Sequence, residues 1–268
     1  MPACPGPVLG AVRELAWLVG HLALYPTGLF TQGPAREPAR EAPSGAGRTT
    51  TPVVLVHGLA DNRSVFAVLR RALHRQGFSD IHPFDHNPLG GDIRGKAELL
   101  DHHIARVCER TGAPDVHVVG HSLGGLVARY HAQRIDRGAH VRTVVTLGTP
   151  HRGTLAAHLL RAHPLVRELC PDSTVVAELA LPAPDCTTRF LAYWGDLDPF
   201  VIPLTSGTID HPDLDAANIR VSGAGHLTLP ACRSIVRDLC TLLTGTHNAD
   251  PREAPDAAPD ATSAPLAA

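Results

Sequence analysis

Between residues 51 and 245, short runs rich in β-branched and aromatic residues alternate with segments whose apolar positions recur every three to four residues. Strand-like runs alternating with helical ones are the signature of a parallel sheet covered by helices on both faces. The pattern predicts strands over Val53–Val56, Ser79–Phe84, Val116–Val119, Thr143–Leu147, Arg189–Trp194 and Ile219–Ser222. One helix is marked by Val65, Phe66, Val68, Leu69, Ala72 and Leu73, and a second by Leu99, Leu100, His103, Ile104 and Val107. A third begins just after Ser122, and a last runs from about Leu229 to Leu243 with Cys232, Ile235, Val236, Leu239 and Cys240 on its buried side. The expected class is α/β, a mostly parallel sheet of about six strands between helical layers.

The flanks read differently. Within residues 8–30, Val12, Leu15, Ala16, Val19, Leu22 and Ala23 fall at helical spacing, with Arg13, Glu14 and His21 on the other side. The uncharged stretch Leu15–Phe30 is broken by Pro26 and is shorter than the roughly 20 residues that span a bilayer. Arg13 is the only positive residue ahead of the apolar run, Glu14 follows it, and no clear A-x-A site appears, so the pattern favours a cytoplasmic or membrane-peripheral location over secretion. Packing on the domain, peripheral membrane contact helped by Trp17, and a cleaved export signal all stay open. Residues 31–50 are rich in Pro, Ala, Arg and Glu and cannot bury a core, which makes them a linker. The tail from 246 to 268 repeats Ala, Pro and Asp and is expected to be disordered. The division is therefore 1–50 helix and linker, 51–245 folded domain, 246–268 tail.

With 44% hydrophobic residues among 268, the chain can bury one ordinary core. Its 24 basic and 26 acidic side chains nearly cancel, which gives nucleic-acid binding no electrostatic support. The six cysteines form no C-x-x-C pair, so no zinc site is spelled out. Cys232 and Cys240 would stand about 12 Å apart on one helix, too far to bond. Cys170 and Cys186 flank a loop and could pair. His82 and His86 have i, i+4 spacing, but Pro83 interrupts the segment, and a metal site there is not expected.

Val116–Val119 runs into Gly120, His121, Ser122, Leu123 and Gly124, a G-x-S-x-G pattern where a strand gives way to a helix. A sharp turn there lifts the Ser122 hydroxyl above the sheet, and side chains at 120 and 124 would clash with neighbouring backbone. A serine is a weak nucleophile and needs a base. His226 follows the last predicted strand, at the same carboxyl edge of the sheet as Ser122, whereas the other histidines read mostly as solvent-facing or helical. A carboxylate must orient the base, and Asp196 and Asp198 both stand just after the fifth strand. The Leu123 N–H at a helix start and the Leu59 N–H after the first strand are candidates for an oxyanion hole.

The successive segments VLVHGLADN, VVGHSLGG, TLGTPHRGT, YWGDLDPFVIP and GAGHLTLP, from about residue 52 to 232, resemble the ordered motifs of bacterial triacylglycerol lipases, most of all the small actinobacterial and Bacillus lipases of minimal α/β-hydrolase fold. The resemblance implies Ser122 as nucleophile, His226 as base and the Leu59 and Leu123 amides as oxyanion donors. It also favours Asp198 as the acid, with Asp196 as the alternative, because an apolar run follows Asp198. It implies a serine hydrolase that cleaves carboxylic esters or lipids through an acyl-enzyme, without a cofactor; no metal-ligating residue is named, and calcium dependence stays open. Acyltransferase or thioesterase chemistry on the same parts is the alternative, and a non-catalytic binding protein of the same fold is a remoter one. The chain departs from the smallest of these lipases in His151–Leu181, whose apolar helical patterns predict a small lid or covering helices.

Overall fold

The computed structural model describes residues 25–26 and 51–243. Apart from Tyr25 and Pro26, the expected N-terminal helix, the linker and the tail lie outside the described residues.

Among the described residues, six strands form one sheet in the order β2-β1-β3-β4-β5-β6, every neighbouring pair parallel. They are β1 Val53–Val56, β2 Ile81–Phe84, β3 Val116–His121, β4 Val141–Leu147, β5 Arg189–Gly195 and β6 Asp215–Val221. Successive strand residues face opposite layers. Val53 and Leu55 join a core with Leu69 and Leu73 of helix α1 (Ala67–Arg75) and with Ile235 and Leu239 of the last helix. Val54 and Val56 join another core with Ile93, Leu100 and Ile104 of helix α2 (Ile93–Thr111) and with Leu126 and Val127 of helix α3 (Leu123–Tyr130). Both faces being covered is why these strands read as continuous apolar runs. Each fully buried Val or Leu side chain contributes about 1.5–3 kcal/mol by area.

The chain leaves β1 in one direction to make β2, then returns past β1 to make β3. The crevice at the carboxyl ends of β1 and β3 is therefore the topological switch point, where open α/β sheets bind ligands.

The ends of β1 to β5 agree with expectation to within two residues, and two elements differ by more. β6 starts at Asp215, four residues before the expected strand; it is an edge strand, and its first half, Asp-Ala-Ala-Asn, lacks the β-branched signal. The last helix is interrupted: a 3-10 turn at Leu229–Ala231 ends on extended Cys232 before the helix Arg233–Leu243.

The connection from β4 to β5 holds a 3-10 turn (Leu155–Leu160) and two short helices, α4 (Pro164–Arg167) and α5 (Thr174–Leu179). Buried Arg129 of α3 fastens it, donating to the carbonyls of His151 (3.2 Å) and Leu179 (3.1 Å). Its acceptors are neutral, and burial pulls the guanidinium down to about 10, still charged at neutral pH. Arg94 of α2 adds a two-pronged bond to Glu178 at 2.6 and 3.0 Å. Leu165, Val166 and Val175 pack into the core below, while Leu155, Leu159 and Leu160 remain exposed above. The expected covering helices are present.

Cys170 and Cys186 are buried free thiols, so the pairing that the loop allowed is not made. The Cys186 Sγ–H instead donates to the Ala132 carbonyl at 3.5 Å.

Candidate active site

Ser122 stands between β3 and α3 with φ +54° and ψ −122°, a left-handed conformation that costs a non-glycine residue about 1–3 kcal/mol. Its surroundings hold it there. The Ser122 N–H donates to the Leu147 carbonyl at 2.9 Å, and its own carbonyl accepts from the Gly125 N–H and the Thr149 hydroxyl, both at 3.0 Å. The two motif glycines are sterically required: a Cβ on Gly124 would lie 2.2 Å from the Val56 carbonyl oxygen, and one on Gly120 would lie 2.6 Å from Gly125 N. The Leu123 N–H opens the first turn of α3, where no intrahelical acceptor exists. Leu59, three residues past β1, lines the same cavity as Ser122.

His226 is buried in the loop after β6, and its Nδ1 is 2.7 Å from Oδ2 of buried Asp198. The other carboxylate oxygen of Asp198 accepts from the N–H groups of Phe200 (2.8 Å) and Val201 (3.1 Å), which fixes its orientation. Pro199 has no N–H, so the carboxylate is met by the next two amides. Asp196 faces elsewhere and accepts from Gly223 N–H (2.7 Å), Arg220 (3.0 Å) and Ser222 (3.1 Å). Partial burial pushes its carboxyl up, but these three bonds outweigh that and hold it below the usual carboxylate range. Gly148, at φ +59°, passes close behind the pair: a Cβ there would lie 3.1 Å from both Asp198 Oδ2 and His226 Nδ1. With Nδ1 occupied by Asp198, Nε2 is the ring nitrogen left for a proton from a substrate or a nucleophile.

Ser122 and His226 line one cavity of about 420 Å³. Its far wall is apolar and comes largely from the β4–β5 connection, through Ala157, Leu160, Val166 and Leu169. Tyr25 also lines it, and the Tyr25 carbonyl accepts from Asn62 Nδ2 at 3.0 Å.

The histidines read as solvent-facing or helical are often neither. His57, His117, His121 and His151 are buried at or just beyond strand ends. A strand buried on both faces points every side chain into a helical layer, and composition gives no warning of it. Burial pushes His117 and His86 down to about 4, the latter helped by His57 and Lys96 beside it. His86 stacks on His57 with ring centroids 4.0 Å apart, while His82 Nδ1 meets Arg110 at 3.1 Å, so the i, i+4 pair serves two different neighbourhoods. Among the described residues the donor atoms that could together hold a metal ion are those of His158, Cys170 and Asp172, within 4.8 Å of one another and outside the Ser122 cavity.

A family model described as palmitoyl protein thioesterase matches residues 52–195, more than half of the chain. The chain belongs to the palmitoyl protein thioesterase family. The match runs from β1 through β5 and contains Leu59, Ser122 and Leu123. Among curated relatives, a triacylglycerol lipase of Burkholderia plantarii is 33% identical over 152 residues, covering 54% of this chain and 41% of that protein. A triacylglycerol lipase of Pseudarthrobacter phenanthrenivorans is 35% identical over 114 residues, covering 40% and 35%. This palmitoyl protein thioesterase family member thus spans about two fifths of the length of the curated relatives it matches. Its fold is that of α/β-hydrolases: the mature form of Bacillus licheniformis lipase BlEst2 aligns with a TM-score of 0.63 at 17% identity, covering 76% of this chain and 96% of that one. A Paleococcus ferrophilus monoacylglycerol lipase aligns with a TM-score of 0.57, also at 17% identity, covering 73% and 96%.

Proposed function

We propose that this protein is a serine hydrolase that cleaves carboxylic esters of apolar acids. The observation that carries the reading is the buried Asp198–His226 pair at 2.7 Å opening onto the same apolar cavity as the strained Ser122. In this reading His226 Nε2 takes the Ser122 proton as the hydroxyl oxygen attacks the ester carbonyl. The negative charge that develops on the carbonyl oxygen is met by the Leu59 and Leu123 N–H groups. Asp198 stabilises the imidazolium, which then protonates the departing alkoxide, and water attacks the acyl-serine by the same route. The apolar wall suits a hydrocarbon acyl chain. No step calls on a cofactor.

The family description favours a second leaving group. Thioester cleavage uses the same steps with a thiolate departing, and it is supported by the match to palmitoyl protein thioesterase over residues 52–195. Membrane contact through residues 8–30 and a cytoplasmic or membrane-peripheral location belong to the same proposal.

Hydrolysis of p-nitrophenyl esters from acetate to palmitate, alongside palmitoyl-CoA, tests both leaving groups. Ester turnover with a rise toward medium or long chains is expected, and Ser122→Ala should remove it by about 10⁴–10⁶-fold with the thermal melt unchanged. A Ser122→Ala protein that retains a tenth of the activity would sink the nucleophile assignment.

A further inference from the structure

We propose that His121 is a positioning residue that ties the base His226 to the nucleophile, an inference that rests on the serine-hydrolase reading above. His121 ends β3 and is joined by one peptide bond to Ser122, and its side chain is buried. Its Nε2 lies 3.2 Å from the backbone carbonyl oxygen of His226, a partner 105 residues away in sequence. A carbonyl only accepts, so the ring carries a proton on Nε2 and donates it there. At the opposite edge of the ring, Asp61 Oδ2 stands 3.6 Å from Nδ1, and the Asn62 N–H at 2.7 Å from Oδ1 holds that carboxylate in place. The His121 and His226 rings are 4.9 Å apart at 49°, so they touch without stacking.

The proposed mechanism uses neither His121 nor Asp61, yet both are buried polar groups beside the reacting serine. Their placement fills a gap in how the base is held. Asp198 orients the imidazole through Nδ1 but stands on the β5 side of the site. The bonds between Gly225 and Thr228, at 2.9 and 3.1 Å, shape the His226 loop internally without reaching β3. The His121 bond does reach β3, and it fixes the backbone of the base relative to a residue covalently next to Ser122. Proton transfer needs heavy atoms within about 2.6–3.2 Å, and a displacement of about 1 Å can cost on the order of 10²-fold in rate.

Three variants of the full chain separate this role from simple packing. His121→Gln places an amide N–H near the position of Nε2, His121→Asn reaches only as far as Nδ1, and His121→Leu fills space without a donor. Rates are measured on p-nitrophenyl butyrate and divided by the concentration of sites titrated to completion with a fluorophosphonate, so that only folded, reactive protein counts. The Asn and Leu variants are expected to lose about 10–100-fold in kcat with KM within about twofold, and the Gln variant to stay within about threefold of wild type. Asn or Leu at more than a third of the wild-type kcat, or Gln as poor as Leu, overturns the proposal. If the Leu protein does not fold, the Gln-to-Asn ratio makes the same decision. Failure of the wild type itself to react with the fluorophosphonate would instead remove the serine-hydrolase reading.

Discussion

Asp196 and Asp198 sit two residues apart on one loop, yet their hydrogen-bond partners share nothing. Asp198 points its Oδ2 at His226 Nδ1, whereas Asp196 gathers the end of β6 and the turn after it through Arg220, Ser222 and Gly223. Removing the Asp198 charge leaves the imidazole without its orienting acceptor, so Asp198→Asn is expected to lower kcat by up to about 10⁴-fold. Asp196→Asn should cost about tenfold or less in kcat and instead lower the melting temperature, because it weakens several hydrogen bonds to a carboxylate worth about 1.5–3 kcal/mol each. Parallel kinetics and melts of the two variants check this, and a larger kcat loss for Asp196→Asn would move the acid role there. The resemblance to bacterial lipases ranked the two carboxylates, through the apolar run that follows Asp198. Which one meets His226 depends on where the loop after β6 comes to rest.

At the scale of elements, the β4–β5 connection supplies much of the apolar wall of the cavity. It is bolted to α3 and α2 through Arg129 and Arg94, and it contributes Ala157 and Leu160 to the wall facing Ser122. Ala157 is a small residue at a buried point of that wall. A phenylalanine there would occupy space available to an acyl chain while leaving Ser122, His226 and Asp198 untouched. Ala157→Phe is therefore expected to keep at least half of the activity on p-nitrophenyl acetate and to lose tenfold or more on the palmitate ester, a change in discrimination of at least about fivefold, or about 1 kcal/mol. An unchanged ratio between the two esters would place the acyl chain elsewhere. The helical patterns within His151–Leu181 are legible in sequence, but the anchor is not: Arg129 lies in α3, and only folding brings it under both ends of the connection.

At the scale of the whole molecule, burial of neutral histidines sets an acid limit on stability. His86, His103 and His117 are each pushed down to about 4 by burial and by nearby positive groups, and His151 well below its ordinary value. The unfolded chain takes up the protons of His86, His103 and His117 near pH 6.5 and the folded one only near 4, so the folded state binds fewer protons between those values; His151 acts in the same direction. Stability is full above about pH 6.5 and falls as pH drops toward 4, with a slope approaching about 1.4 kcal/mol per pH unit for each histidine. Glu168, whose carboxyl burial pushes up, acts in the opposite direction. Urea unfolding at pH 7.5, 6.0 and 5.0 should show a steady fall in midpoint, and equal midpoints would mean that these side chains are solvated. A second expectation concerns the N-terminal segment. Deleting residues 1–50 removes Tyr25 from the cavity wall and from Asn62 but keeps Ser122, His226 and Asp198, so p-nitrophenyl butyrate hydrolysis should persist while binding to lipid vesicles weakens. A truncated protein inactive on every substrate would mean that the segment is packed into the domain.

The amino-acid sequence by itself determined the six apolar runs, the glycine-flanked Ser122 at a strand-to-helix turn, and His226 beyond the last strand. Each of these is a local matter of period, steric room or chain order. Tertiary structure decided what depends on elements meeting across the sheet: the His226–Asp198 bond, the His121 tie to the His226 carbonyl, the Arg129 anchor, and Gly148 passing close behind the pair. The histidines show the difference most directly. Seventeen in the chain look alike in composition, and only the packing of strands between two helical layers makes some of them buried, neutral and fixed by hydrogen bonds.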